Sequence, residues 1–238
     1  MRIAGFDMAW RPENNNSALA IGELVGTELN VLFCRVATQS VEAWVADIVS
    51  SSIEGIAIDA PLIINNQEGQ RGCEAQLNQV YRGAKAGCHP SNLTLYPNAA
   101  SVRAAEMLRL HGFEHLGTKH FMLECYPHPS MVELFGWRER LLYKRGSVAE
   151  RKQGQIQLAQ AILSLQTADV SLVIEDPILE SLQADYIEDL RGAAVKANED
   201  LLDALVCLYI AALYQTGQAA YVFGDVESGY VWVPKFRD

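Results

Sequence analysis

The segment Ala204–Tyr214 constrains the fold of this chain most, because it reads ALVCLYIAALY and is apolar almost throughout. It predicts a helix that begins after Asn198 and has no polar face, and such a helix is buried among other elements. Asp203 lies immediately before the apolar run, and Asp200 lies three residues earlier on the same helical face. A carboxylate at the start of a buried helix must be paired, hydrogen-bonded or bound to a metal ion.

Short segments rich in apolar residues predict the strands of a sheet. Arg2–Asp7, Ser17–Val25 and Glu28–Val36 follow one another through short turns, which indicates antiparallel neighbours. Gly55–Asp59 and Phe121–Tyr126 are apolar runs that carry an acid, as in strands buried on both faces, and a proline follows each of them closely. Together with the apolar helix, this order predicts an α/β fold, a mixed β-sheet flanked by helices.

Further helices are predicted between and after these strands. Val41–Ser50 carries apolar residues at helical spacing. Other helices are predicted around Arg71–Tyr81, Ala99–His111, Val132–Tyr143 and Gly154–Ser164, with a short strand at Leu172–Ile174 and a closing hairpin of Ala220–Phe223 and Tyr230–Val233. Residues 63–118 are polar and rich in glycine and asparagine, so we expect an insertion after the fourth strand that forms a lid or a substrate platform. The sequence contains no repeat or linker, and we therefore expect residues 1–238 to form a single domain.

Acidic residues outnumber basic ones, which limits the classes of ligand. The net charge is -10, so the chain lacks the general excess of Lys and Arg by which proteins bind nucleic acid non-specifically. Any contact with nucleic acid has to use a local basic patch or bound metal ions. No apolar run approaches the roughly 20 residues of a transmembrane helix, and the N-terminus reads as a strand and not as a signal peptide. We therefore expect a cytoplasmic protein without membrane contact, whose five cysteines are free thiols.

Asp7 and Asp59 close two of the predicted strands after apolar residues. Since strand C-termini and helix N-termini often meet in one cleft of α/β proteins, we expect Asp7, Asp59 and Asp203 to converge, with Asp200 beside them. Clustered carboxylate oxygens suit Mg²⁺ or Mn²⁺, and two such ions can clamp the attacking and leaving oxygens of a phosphodiester. The alternatives are structural: Asp7 could bond backbone amides, Asp59 could cap the following turn, and the helix acids could face the free amides of a first helical turn.

Five motifs, in the same order along nearly the whole chain, resemble those of a known family. They are GFDMAW at 5–10, IDAPL at 58–62, RGCE at 71–74, ECYPHPS at 124–130 and DLLDALVCLYIAALY at 200–214. Together they are similar to domain-of-unknown-function family 429, which is described as predicted nucleases of the ribonuclease-H-like superfamily. The resemblance implies a β-β-β-α-β-α-β-α core whose catalytic acids would be Asp7 on the first strand, Asp59 at the end of the fourth, and Asp200 and Asp203 on the last helix. This arrangement looks most like that of Holliday-junction resolvases.

The motifs ECYPH and RGCE supply further candidates for the site. Glu124 could complete the metal site or hydrogen-bond a ligand, and Tyr126 is a candidate for substrate contact. His128 could protonate a leaving group or orient a phosphate, or it is held in the turn between two prolines. Arg71 and Glu74 lie three residues apart on a predicted helix, so either they pair with each other or Arg71 reaches a phosphate or carboxylate in the cleft.

The segment Trp137–Lys152 is the clearly basic stretch of this acidic chain. It contains two acidic residues, Glu139 and Glu150. Its basic residues are Arg138, Arg140, Lys144, Arg145, Arg151 and Lys152. It is either a solvated helix face or a groove for substrate phosphates, to which Lys144 would contribute.

The leading hypothesis is Mg²⁺-dependent hydrolysis of phosphodiester bonds in nucleic acid. Asp7, Asp59 and Asp203 would hold the metal, and Asp200 or Glu124 would assist. Alternatively, the cleft binds or processes a nucleotide or another phosphorylated small molecule on the same fold. In a third hypothesis the chain is a non-catalytic binding protein and its acids are structural. The apolar last helix and the closing hairpin could also offer a homodimer surface.

Overall fold

The architecture is that of a computed structural model, which describes residues 1–235. It contains nine strands. They are β1 (Arg2–Asp7), β2 (Ser17–Val25), β3 (Glu28–Ala37), β4 (Gly55–Asp59), β5 (Glu114–His115), β6 (Phe121–Glu124), β7 (Ser171–Val173), β8 (Ala220–Asp225) and β9 (Gly229–Pro234).

Seven α-helices connect and cover the strands of this part of the chain. They are α1 (Val41–Ser50), α2 (Gly72–Tyr81), α3 (Ala100–Leu110), α4 (Pro127–Phe135), α5 (Val148–Ser164), α6 (Ala184–Asp189) and α7 (Ala193–Gln215). Two short 3₁₀ helices lie at Leu165–Thr167 and Leu179–Leu182.

Strand β1 lies in the middle of a seven-stranded mixed sheet of order β5-β6-β4-β1-β2-β3-β7. It pairs antiparallel with β2 and parallel with β4, and β2 pairs antiparallel with β3. Strands β6 and β7 add parallel neighbours to β4 and β3, and β8 and β9 form a separate antiparallel hairpin. This topology confirms the predicted mixed α/β fold and is consistent with a ribonuclease-H-like architecture.

The side chains of β1 alternate between two apolar layers, because successive side chains of a strand point to opposite faces of the sheet. Ile3 packs in the layer that contains α7, whereas Phe6 packs in the other layer with Trp44 of α1. Gly5 approaches α7 so closely that a Cβ atom on it would lie 1.9 Å from the backbone nitrogen of Leu208. Helix α7 therefore lies directly against the central strand.

The boundaries predicted for two middle helices are wrong. The helix predicted around Val132–Tyr143 is α4, which begins at Pro127 and ends at Phe135, where the φ of 61° at the following Gly136 terminates it. Pro127 starts a helix because the first helical position does not use its missing N–H group. Residues 137–147 carry neither helix nor strand, and α5 begins at Val148, earlier than expected.

The predicted start of the last helix is also wrong. Helix α7 begins at Ala193 and not after Asn198, whose side chain donates to Gln155 at 3.1 Å. Asp200 and Asp203 thus lie about two turns or more inside the helix, where the backbone N–H groups are used within the helix. The interpretation of these acids as partners of free N-terminal amides is therefore wrong.

The segment between β4 and β6, predicted as an insertion, contains the expected helices as α2 and α3, and the short strand β5. Cys73 and Leu77 of α2 pack against Phe223 and Val231 of the β8–β9 hairpin. The apolar residues of α7 are buried inside the fold, so they do not form an exposed surface for the expected homodimer, which stays a prediction, as does the single-domain assignment. Within residues 1–235, no helix is long and apolar enough to cross a membrane.

Candidate functional site

A cleft opens where the carboxyl ends of β1, β4 and β6 meet the irregular segment 137–147. Its volume is about 470 Å³, which lies within the range of roughly 300–1,000 Å³ typical of small-molecule sites. The predicted site residues Asp7, Asp59, Asp200 and Lys144 are among those that line it.

Asp7 and Asp59 lie side by side because β1 and β4 pair in parallel with these two residues opposite each other. Both side chains lie on the α7 face of the sheet. Asp7 is two positions after Gly5, which contacts α7, and Asp59 is two positions after Ala57, which packs in the same layer.

Helix α7 brings the other two predicted acids to this end of the sheet. Gly5 approaches the turn that contains Ala204 and Leu208, and the preceding turn lies near enough to Asp7 for Asp203 and Asp200 to act on its carboxyl group. Asp203 is fully buried. We call Asp7, Asp59, Asp200 and Asp203 the acid cluster.

The buried carboxylate of Asp203 has two partners from the irregular segment. Tyr143 donates its hydroxyl to Oδ1 at 2.5 Å, and Lys144 Nζ lies 2.6 Å from Oδ2. Although burial lowers the pKa of Lys144, the charge of Asp203 and its neighbours raises that pKa well above its usual value, so this side chain is an ammonium. The segment 137–147 therefore places one positive charge within the acid cluster.

The carboxyl groups of the cluster resist simultaneous ionisation. Burial raises the pKa of Asp7 well above its usual value, and the charge of Asp203 raises it further. Burial likewise raises the pKa of Asp59 to about 7 and that of Asp200 to about 6. Low hydration and neighbouring negative charges thus make these groups release their protons at a higher pH than carboxyl groups in water do.

The acid cluster fits a divalent cation in its chemistry. It offers only carboxylate oxygens, the ligands that Mg²⁺ and Mn²⁺ prefer. Asp200 Oδ2 is buried and has no hydrogen-bond partner among the described residues. A divalent charge would relieve the repulsion between the carboxylate groups of Asp7 and its neighbours. Within residues 1–235, however, no three His, Cys, Asp or Glu side chains are arranged as ligands of one ion, and the ammonium groups of Lys144 and Lys196 lie against the carboxylates.

Glu124 does not join the acid cluster, because it lies on the other face of the sheet. Its neighbours Leu123 and Cys125 pack in the layer of α7, and alternation along β6 turns Glu124 away from them. Its carboxylate accepts two bonds from Arg71, from Nη1 at 2.9 Å and from Nη2 at 2.6 Å. It also accepts the backbone N–H of Leu62 at 2.9 Å.

The ion pair between Arg71 and Glu74, which the spacing of the RGCE motif suggested, is present. Arg71 Nε donates to Glu74 Oε1 at 2.8 Å, and Glu74 Oε2 accepts the backbone N–H groups of Arg71 and Ser91, each at 3.0 Å. Arg71, Glu74 and Glu124 are all buried, and their bonds join α2 to the end of β6 as one wall of the cleft. Their contact with a substrate stays a prediction.

His128 lies at the second position of α4, beside the acid cluster. Its ring packs against those of Tyr126 and Tyr143, with both centroid distances at 5.6 Å. Burial lowers the pKa of His128 to about 3, and the charge of Lys144 acts in the same direction. Its Nδ1 is buried and finds no hydrogen-bond partner in the described part of the chain. A neutral imidazole is suited to positioning a phosphate or a water molecule, and not to protonating a leaving group.

Part of the basic stretch lines the cleft. Arg140, Lys144 and Arg145 lie on its wall, together with Lys196 of α7. Arg151 instead lies 3.5 Å from the carboxylate of Glu199. The first part of the stretch is irregular, so the alternative of one solvated helix face is wrong for residues 137–147.

Sequence reasoning did not single out Trp10, Tyr143 or Lys196. Lys196 Nζ lies 2.6 Å from Asp200 Oδ1, and the spacing of four residues on a helix is a signal that could have indicated this pair. Trp10 lies in the GFDMAW motif and lines the cleft. Tyr143 offers no local signal, because its partner Asp203 is 60 residues away in the sequence.

Comparison with known families confirms the predicted family. A family model described as "Protein of unknown function (DUF429)" matches residues 5–228. No curated protein matches the chain.

Proposed function

The chain belongs to the DUF429 family of proteins of unknown function, and from its own side chains we propose that it is a Mg²⁺- or Mn²⁺-dependent nuclease of the ribonuclease-H-like type. Hydrolysis of a phosphodiester bond in nucleic acid is the reaction that the acid cluster and its surrounding cations support best.

The observation that supports this proposal is the close grouping of four carboxyl groups in the acid cluster. Taking four carboxylates out of water is unfavourable unless a cation compensates their charge. Lys144 and Lys196 offer two positive charges to this group of four carboxyl groups, and the raised pKa values of Asp7 and Asp59 indicate that these two cations do not compensate all of them. A divalent cation held by Asp7, Asp59 and Asp203 would supply the missing charge.

Each residue of the cleft would have its own role in the reaction. Asp7, Asp59 and Asp203 would hold the metal ion, which would supply Lewis-acid chemistry at the phosphate. Arg140 and Arg145 would bind the phosphates of the substrate. Asp200, whose pKa is about 6, would accept a proton from the attacking water, and the neutral ring of His128 would position that water or the phosphate.

The proposal also includes a partner, nucleic acid, and a location, the cytoplasm. Nucleic acid would approach through the cations of the cleft, since the chain as a whole has a net charge of -10. We place the activity in the cytoplasm, which the five free cysteines support; the sulphur atoms of Cys125 and Cys207 lie 3.6 Å apart and are not bonded as a disulfide. The acid cluster is formed by one chain, so the proposal does not require a homodimer.

The test combines metal binding and cleavage. Binding of Mn²⁺ is measured by the electron paramagnetic resonance of the free ion, and cleavage is measured on single-stranded, duplex and branched DNA and RNA with Mg²⁺ or Mn²⁺. Asp7→Asn should weaken metal binding and lower the cleavage rate by about 100-fold or more, the scale of losing a main electrostatic contact in a transition state. The matched control Asp189→Asn, on the exposed side of α6, should change neither. The proposal is wrong if the wild-type protein cleaves none of these substrates, or if Asp7→Asn retains both properties.

A nucleotide or another phosphorylated small molecule is the second candidate substrate. The volume of the cleft, about 470 Å³, suits one small ligand. Thermal-shift measurements with nucleoside phosphates and with oligonucleotides separate the two candidates. Stabilisation by free nucleotides alone would favour the second one.

A further inference from the structure

Two aromatic rings stack at the rim of the cleft. The ring centroids of Trp10 and Tyr96 are 4.0 Å apart and their planes are inclined by 24°. Trp10 lines the cleft and is 44% exposed, whereas Trp44 and Trp232 are buried in the core. An indole is among the largest apolar surfaces a side chain can present, and this one is left accessible to a ligand in the cleft.

Ordered turns hold both rings in place. Directly before Trp10, the backbone N–H of Ala9 donates to Ser17 Oγ at 3.0 Å. The N–H of Tyr96 donates to the carbonyl of Asn92 at 2.9 Å, and Asn92 is itself buried. A stacking surface that is already ordered loses little conformational freedom when it binds a ligand.

The aromatic pair lies next to the charged parts of the cleft. Trp10 is three residues after Asp7 in the sequence, on the loop that leaves the carboxyl end of β1. Asn15 and Asn16 line the same cleft, as do the cations described above. A flat apolar surface, amide groups and cations are the three features that recognise the base, the base edge and the phosphate of a nucleotide.

We propose that Trp10, with Tyr96 stacked behind it, is a subsite on which a single unpaired nucleobase stacks. This inference rests on the proposed function and narrows its substrate to nucleic acid with an unpaired nucleotide at the cleft. A base inside a duplex stacks on its own neighbours and cannot use such a surface, whereas a base in a single strand, a loop or a junction can. Because every base has a π face, the subsite selects unpaired structure and not sequence.

The test measures binding without cleavage. Fluorescence anisotropy of an end-labelled single-stranded oligonucleotide is recorded in Ca²⁺, with the wild-type protein and with Trp10→Ala and Trp10→Phe. Trp10→Ala should bind about 5- to 150-fold more weakly, the range found for loss of one stacked base, and Trp10→Phe should retain most of the affinity. An abasic oligomer of the same length should bind equally to the wild-type protein and to Trp10→Ala. Tyr186→Ala removes an aromatic residue of similar exposure, 42%, on α6 and should have no effect.

The inference is overturned if Trp10→Ala, with an unchanged melting temperature, binds the oligonucleotide as tightly as the wild-type protein. It is also overturned if the abasic oligomer binds as well as the normal one, or if a glucan oligosaccharide competes for Trp10. In each of these cases, metal-dependent cleavage by the wild-type protein would leave the proposed function standing. Conversely, binding that depends on Trp10 in a protein that cleaves no nucleic acid would support the subsite and contradict the nuclease.

Discussion

Replacement of Asp59 by asparagine should stabilise the protein at neutral and alkaline pH. Burial raises the pKa of this carboxyl group from 3.8 to about 7, so the folded state binds the proton more tightly than the unfolded chain does. The free energy of unfolding therefore falls as the pH rises from about 4 to about 7. Above pH 7 the ionised Asp59 costs about 4 kcal/mol relative to a carboxyl group whose pKa does not change on folding, since one pKa unit corresponds to about 1.4 kcal/mol.

An asparagine has almost the same shape as an aspartate and carries no charge. We expect Asp59→Asn to recover about 1–4 kcal/mol at pH 8 and little at pH 4, where the wild-type group is protonated in the folded state. In a chain of this size each kcal/mol raises the Tm by about 2–4 °C. Differential scanning calorimetry from pH 4 to pH 8 without divalent cations measures this difference.

The control is Asp225→Asn in the turn of the β8–β9 hairpin. Hydrogen bonds from the backbone N–H and hydroxyl of Ser228 lower the pKa of Asp225, so the loss of this charge should not stabilise the protein. Mg²⁺ should raise the Tm of the wild-type protein more than that of Asp59→Asn. If Asp59→Asn is no more stable than the wild-type protein at pH 8, the ionised carboxylate of Asp59 does not destabilise the fold as argued, and the reason for expecting a cation is lost.

Two further predictions concern packing around the site. Arg71→Met leaves the buried carboxylate of Glu124 without its guanidinium partner and should lower the free energy of unfolding by about 3–5 kcal/mol in urea titrations; a variant as stable as the wild-type protein would contradict this. Gly5→Ala places a Cβ 1.9 Å from the backbone nitrogen of Leu208 and should lower both the Tm and the yield of folded protein. Gly72→Ala, whose Cβ would have no atom within 4 Å, should leave the Tm unchanged or slightly raised, and equal behaviour of the two variants would refute the close packing of α7.

The strands and the acid cluster could be predicted because their signals are local. Apolar runs that end in an acid indicated β1 and β4, and the alternation of strand side chains places Asp7 and Asp59 on one face when the two strands are aligned. Alternation by itself could not place Glu124 on the opposite face. That step also needs the register between β4 and β6, which pairs Ile58 with Glu124 and is not visible in the sequence of β6.

The helix boundaries were less predictable, because the same residue type can occur in more than one kind of local structure. Asn198 resembles a helix cap in the sequence, but its side chain bonds Gln155 in the folded chain. Pro127 resembles the end of a strand, and it is also the first residue of a helix. A tertiary contact decides the role of Asn198, and the residues that follow Pro127 decide that it begins a helix.

By itself, the sequence determined the family, the mixed α/β fold and the gathering of four aspartates, because apolar periodicity and strand ends are properties of neighbouring residues. Only the tertiary structure decided which charges meet these acids. Lys144 lies beside Asp203, and Arg71 lies between Glu74 and Glu124. Apart from the close spacing of Arg71 and Glu74, these contacts join distant parts of the chain through irregular segments that have no periodicity. Their partners are set by how α7, α2 and the segment 137–147 pack around the end of the sheet.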